Sequence, residues 1–176
     1  MPTPCWKDLR HGRSRSASRP RQGLARPQDT SWPTRLDELA PAERLIISAF
    51  RQWVGGPADR QAILPLHAHH AGAAAAPGLA QAFAGYVELL REGAARTITY
   101  HQPGCACLGA DEMLVMLIVM AEQTDLPDLA RLLASWLVRP VLVPGLIQAA
   151  RLYGDGLARA GITLPWRPLR PRRMLH

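Results

Sequence analysis

The sequence predicts a mainly α fold: a small domain of about five helices around a buried central helix at 110–123. Three observations carry that expectation. Met113 to Ala121 is an unbroken apolar run with Asp111 and Glu112 before it and Glu122 and Gln123 after it. It is far shorter than the roughly 20 residues a membrane span needs, and apolar on every side, as a helix buried on every side is. Several further segments repeat apolar residues at intervals of three and four, the period of a helix with one face on a core. The two ends of the chain show no such period and are rich in Arg and Pro, the first of them also in Ser, a composition that predicts disorder.

At 176 residues with 48% apolar content, the chain is long enough for one domain with a real core. The reading divides it into a disordered basic arm at 1–35, a helical domain at 36–161 and an extended basic tail at 162–176.

The first helix is expected over 36–54. Pro41 suits the first helical position and Glu43 the first turn. Ile46, Phe50 and Trp53 form its stripe, and Gly55-Gly56-Pro57 ends it. Residues 57–77 are mixed: Ile63, Leu64 and Leu66 read as a short helical turn, and His67, His69 and His70 as a solvated loop. A second helix over 78–93 aligns Leu79, Phe83, Val87 and Leu90, with Gly93 as its stop. Arg96 to Tyr100 alternates and is β-branched, so a short strand or hairpin is expected near 96–101. Pro103-Gly104 then signals a turn.

The central helix follows, with a buried strand as the competing reading, because a short apolar run does not separate the two. A helix over 125–138 places Leu129, Leu132, Leu133, Trp136 and Leu137 on one face. Pro140 and Pro144 are expected to bracket an extended linker. The last helix, 145–160, aligns Leu146, Ala150, Tyr153 and Leu157, with Gly154 and Gly156 weakening it. The tail is expected to lie on the domain through Leu164 and Trp166.

The net charge of +7 is unevenly placed. Residues 1–35 carry eight basic residues against Asp8 and Asp29, and 166–176 carry four arginines and no acid. The stretch between them is mildly acidic. Basic ends of this kind can hold nucleic acid through its phosphates. Lys7 is the only lysine, and the excess of Arg, Ala, Pro and Gly is what GC-rich bacterial coding produces. Arginine in place of lysine is therefore weak evidence for phosphate recognition.

No apolar h-region appears in residues 1–35. Three cysteines without an export signal point to a reducing, cytoplasmic setting with no structural disulfide. A Cys105–Cys107 disulfide would close a tight, easily reduced ring.

The one chemically distinctive pattern is His101-x3-Cys105-x-Cys107-x3-Asp111. Thiolate and neutral imidazole are the usual zinc ligands, and a structural site takes four. His101, Cys105 and Cys107 supply three; Asp111, His67, His69, His70, Cys5 or a second chain is the source of a fourth. Zinc is the cofactor this donor set suits, although a single CxC is far less specific than paired CxxC motifs. Three readings stay open: a packed turn, a metal site, and a redox or catalytic thiol at Cys107 with His101 as its base.

No phosphate-binding loop, nucleophile elbow, HExxH motif or paired-carboxylate pattern is present. Asp111 and Glu112 read as first-turn acids. The expectation for function is a non-enzymatic regulatory or protein-interaction domain with a metal or thiol site in the His101/Cys105/Cys107 loop and a protein partner. The alternatives are a nucleic-acid-binding protein using its arginine-rich ends, and a thiol or metal-dependent redox protein.

Overall fold

The computed structural model describes residues 32–167 together with the backbone of Trp6–Asp8; the rest of the expected arm and tail, with Cys5, lies outside the described residues. The fold is mainly helical. Strand β1 (Trp6–Asp8) is followed by a 3-10 turn at Leu36–Glu38 and helices α1 (Pro41–Gly55), α2 (Pro57–Arg60), α3 (Ile63–Ala71) and α4 (Ala76–Gly93). Strand β2 (Thr99–His101) leads into α5 (Ala110–Gln123) and α6 (Pro127–Ser135). A second 3-10 turn at Pro140–Leu142 precedes α7 (Val143–Arg159).

Helix α5 is the centre. It packs against α1, α6, α7 and β2. Every residue from Met113 to Ala121 is buried except Leu114, which is half-buried. Leu, Met and Ala favour a helix, and burial all round removes the penalty for an apolar helix in water. The strand alternative fails because a fourteen-residue helix closes its own backbone hydrogen bonds, whereas a strand here would need neighbours on both edges.

The stripes expected on α4 and α7 face the core, as do Ile46 and Phe50 of the α1 stripe, while Trp53, its third member, is half-buried with the Arg60 guanidinium over its ring. Ile46 and Phe50 are buried from α1, Leu79, Phe83, Val87 and Leu90 from α4, and Leu146, Ala150, Tyr153 and Leu157 from α7. Tyr86 on α4 donates its hydroxyl to the Val115 carbonyl of α5 at 2.8 Å. Gly154 stands where α7 meets α5: a Cβ there would lie 3.2 Å from Cγ of Gln123. The glycine that weakens an isolated helix here permits close approach.

Several expectations change. His67 to His70 are not a loop but part of α3, and His67 is wholly buried. Its Nδ1 donates to the Ile63 carbonyl at 2.8 Å and its Nε2 accepts from the Tyr153 hydroxyl at 3.0 Å. With both nitrogens satisfied, an imidazole is a tolerable core group. Helix α6 ends at Ser135, short of the expected 138, leaving Leu132 and Trp136 about half exposed while Leu137 and Val138 turn inward. Val138 bridges Ala94 instead, and Ala95 N–H bonds the Leu137 carbonyl at 2.9 Å. The linker between Pro140 and Pro144 is a 3-10 turn running into α7, because proline is tolerated in a first turn.

The arm also holds structure that its composition did not announce. β1 pairs antiparallel with β2, Trp6 opposite His101 and Asp8 opposite Thr99. Residues 34–36 run against 106–108, with Leu36 N–H to the Ala106 carbonyl at 2.9 Å and Leu108 N–H to the Thr34 carbonyl at 2.8 Å. At the other end Leu164 is buried and Trp166 is exposed, so only the first of the expected pair anchors the tail. Among the described residues, no helix is long and apolar enough to cross a membrane.

Candidate metal and thiol site

The site is a loop between β2 and α5, and its shape follows from a few residues. Cys105 N–H bonds the Gln102 carbonyl at 3.1 Å, closing a turn around Pro103 and Gly104. Gly104 has φ +83°, the left-handed value that the third position of a type II turn requires and that glycine adopts without a Cβ clash. The turn brings Cys105 and Cys107 back over His101, at the end of β2.

Two charged residues beneath the loop hold it. Arg51 of α1 and Glu112 of α5 are both buried and form an ion pair, with Nε to Oε1 at 2.6 Å and an NH2 nitrogen to Oε2 at 2.9 Å. Arg51 also donates to the carbonyls of Cys105 and Cys107, each at 2.6 Å. Glu112 further accepts from Gly109 N–H at 2.7 Å, from His101 N–H at 3.0 Å and from His101 Nδ1 at 3.0 Å. One pair thus fixes the loop at 101, 105, 107 and 109. Such satisfaction is what allows two charges to sit out of water.

The electrostatics agree with that geometry. Burial pushes the Glu112 carboxyl up, but the His101 hydrogen bond and the Arg51 guanidinium overcome it and hold the group down at about 2. Asp111 is likewise depressed: burial opposes ionisation, and Arg96 with the Thr99 N–H and hydroxyl outweighs it. Asp111 binds Arg96 through both oxygens, at 2.6 and 2.9 Å, and Thr99 at 2.8 and 3.0 Å. The two first-turn acids are therefore buried anchors rather than solvated dipole partners.

A carboxylate beside Nδ1 places the imidazole proton on that nitrogen, which leaves the lone pair of His101 on Nε2. A ligating histidine is commonly oriented by a carboxylate in this way. One donor atom each from His101, Cys105 and Cys107 lies within 4.8 Å of the other two. Tetrahedral zinc with ordinary bond lengths sets its ligands about 3.4–3.8 Å apart. The three donors therefore lie near one another, within a limit somewhat wider than that of a closed tetrahedral site.

The sulfurs are in different states. Cys107 is an exposed free thiol, and Cys105 is buried and disulfide-bonded. The disulfide corrects the expectation that none would form. That expectation was drawn from compartment, whereas pairing of β1 with β2 carries a remote segment to the loop, which linear spacing does not reveal. A metal can take Cys105 as a ligand only after reduction, since the ligand is the thiolate.

The other proposed ligands stand elsewhere. Asp111 is engaged by Arg96 and Thr99, His67 is in the core against Phe83 and Tyr153, and His69 and His70 lie on α3. Among the described residues the cluster is His101, Cys105 and Cys107 alone. Sequence reasoning missed Arg51 and Glu112. A signal existed: Arg51 follows Ile47 by four positions and so shares its buried face of α1, and Glu112 stands three residues after Gly109, where a side chain reaches back to the helix start.

A scan of family models and searches of curated proteins and of solved structures find no match to this chain.

Proposed function

We propose that the chain is a non-enzymatic regulatory or protein-interaction domain in which His101 Nε2 and the thiolates of Cys105 and Cys107 hold zinc when Cys105 is reduced. The observation that supports this most is the convergence of three soft donors within 4.8 Å on a loop clamped by a buried ion pair. A preorganised loop loses little entropy on binding, and the Glu112–His101 bond sets the imidazole for ligation. Three ligands from one surface loop leave a coordination place open to water or to a partner's side chain. We place the protein in a reducing cytoplasm, where the dithiol form persists.

The test is metal titration of the reduced chain without a histidine tag, using zinc and the spectroscopic probe cobalt(II). The expected result is about one metal per chain, sulfur-to-cobalt charge-transfer bands, and marked weakening in His101→Ala and Cys107→Ser. A fully reduced protein that leaves micromolar zinc and cobalt unbound overturns the reading.

The arginines at the two ends favour a second reading, in which an anionic polymer binds there. It requires affinity for nucleic acid that falls steeply with salt and is lost when those arginines are replaced.

A further inference from the structure

We propose that the groove between α4 and α7 binds an amphiphilic anion, a medium-chain fatty acid, with its carboxylate on Arg159 and its tail towards Leu152. The walls come from elements other than those that carry His101, Cys105 and Cys107, so the groove does not depend on a metal there.

The two helices run antiparallel. Phe83 of α4 packs on Tyr153 of α7, with ring centroids 5.1 Å apart. One turn earlier along α4 and one turn later along α7, Leu79 meets Gly156. A Cβ at Gly156 would press within 2.9 Å of Leu79 Cδ2, so glycine lets the helices lie close at this point. Above the contact, small residues such as Gly78 and Ala82 leave a cavity of about 550 Å³ open to water. That volume falls within the range of small-molecule sites. Apart from Gln81 and Arg159, the lining is alanine, glycine and leucine.

The antiparallel run gives the groove a polarity. Arg159 lies one turn beyond Gly156 and so at the start of α4; Leu152 lies one turn before Gly156 and so at the Ala82 end. Leu152 is a large apolar side chain left 56% exposed. Arg159 bends back over the groove, with its Nη2 3.9 Å from where a Gly156 Cβ would stand. Asp155, four positions earlier and the usual helical partner, does not pair with it. Among the described residues, no carboxylate does.

A guanidinium without a counter-charge at one end, and bare aliphatic surface along the rest, complement a molecule with one anionic head and an alkyl tail. Arginine holds a carboxylate through two parallel hydrogen bonds, and the tail gains by leaving water. From Ala75 to Ala82 the groove follows roughly 10 Å of helix axis. An α-helix with its side chains is about 10–12 Å across, as wide as this groove is long, so a slim alkyl chain fits where a helix of a partner does not.

The experiment titrates octanoate, below its micelle concentration, into the full chain by calorimetry, with n-octanol as the uncharged counterpart. The natural chain should bind a single octanoate with millimolar or tighter affinity. Arg159→Gln should weaken octanoate about fivefold and leave octanol unchanged. Gly78→Leu puts a side chain where a Cβ meets nothing within 4 Å. Leucine is also the better helix former, so the fold should survive, as circular dichroism checks, while both ligands are lost. No saturable octanoate binding up to several millimolar overturns the proposal. Binding that survives Gly78→Leu lies elsewhere and overturns the groove. Binding lost in Gly78→Leu but indifferent to Arg159→Gln overturns the anionic head. A dimer in light scattering that Gly78→Leu dissolves, with no octanoate bound, assigns the groove to a second copy of the chain instead.

Discussion

The buried pair Arg51–Glu112 is where single residues matter most. Glu112→Gln leaves the Arg51 charge buried without a counter-charge, which typically costs about 3–5 kcal/mol. Urea unfolding measures this, and a loss under about 1 kcal/mol contradicts the clamp. The double change Arg51→Met with Glu112→Leu should be far milder, since an apolar replacement of a buried pair is often tolerated. It should nevertheless loosen the loop, because the Cys105 and Cys107 carbonyls lose their donors. The same carboxylate sets an acid limit. Its folded-state value of about 2 lies below its ordinary 4.5, so the unfolded chain binds the proton first as pH falls. The stability it contributes is complete above about pH 4.5 and drains away down to about pH 2. Asp111 acts in the same direction. A stability-versus-pH curve should steepen across that window in the natural protein and flatten in Glu112→Gln.

At the scale of elements, α3 is the instructive case. Its three histidines within an alanine-rich stretch give no clean apolar stripe, so the sequence reads as a loop. The structure makes it a helix because His67 fills a slot between Phe83 and Tyr153, with both ring nitrogens bonded. A side chain that is polar in sequence and satisfied in space is invisible to a hydrophobicity pattern. His67→Ala should cost about 2–4 kcal/mol, from the cavity and the orphaned Tyr153 hydroxyl. Thermal or denaturant unfolding checks it, and a change within 0.5 kcal/mol, the roughly neutral range for surface sites, would show that α3 is held by something else. Helix α5, by contrast, was readable to its ends, because its acids, its apolar run and its polar stop all point the same way.

For the whole molecule, long-range ties close the domain over α5. Gln123 donates to the carbonyls of Gly154 and Ile162 and accepts from Leu164 N–H. Arg167 pairs with buried Glu43 at the start of α1. Arg167→Ala should lower stability by about 1–2 kcal/mol, less than for a fully enclosed pair because the arginine is partly in water. An unchanged urea midpoint would show the strap to be ornamental. The helical class, the central helix and the His101/Cys105/Cys107 cluster could be read from sequence because each depends on residues close together in the chain. The clamp and the buried His67 could not, since each joins residues tens of positions apart.

The pairing of Trp6 with His101 sets a timetable for biogenesis. The first strand leaves the ribosome some 90 residues ahead of its partner; at synthesis rates of about 5–20 residues per second it waits about 5–20 seconds. Closing so long a loop carries an entropic cost that only later contacts offset. Glu112 emerges later still, so the loop it clamps is shaped only after most of the chain has been made. A newborn molecule therefore meets whatever thiols and metals surround it before its own architecture has fixed which sulfur faces which.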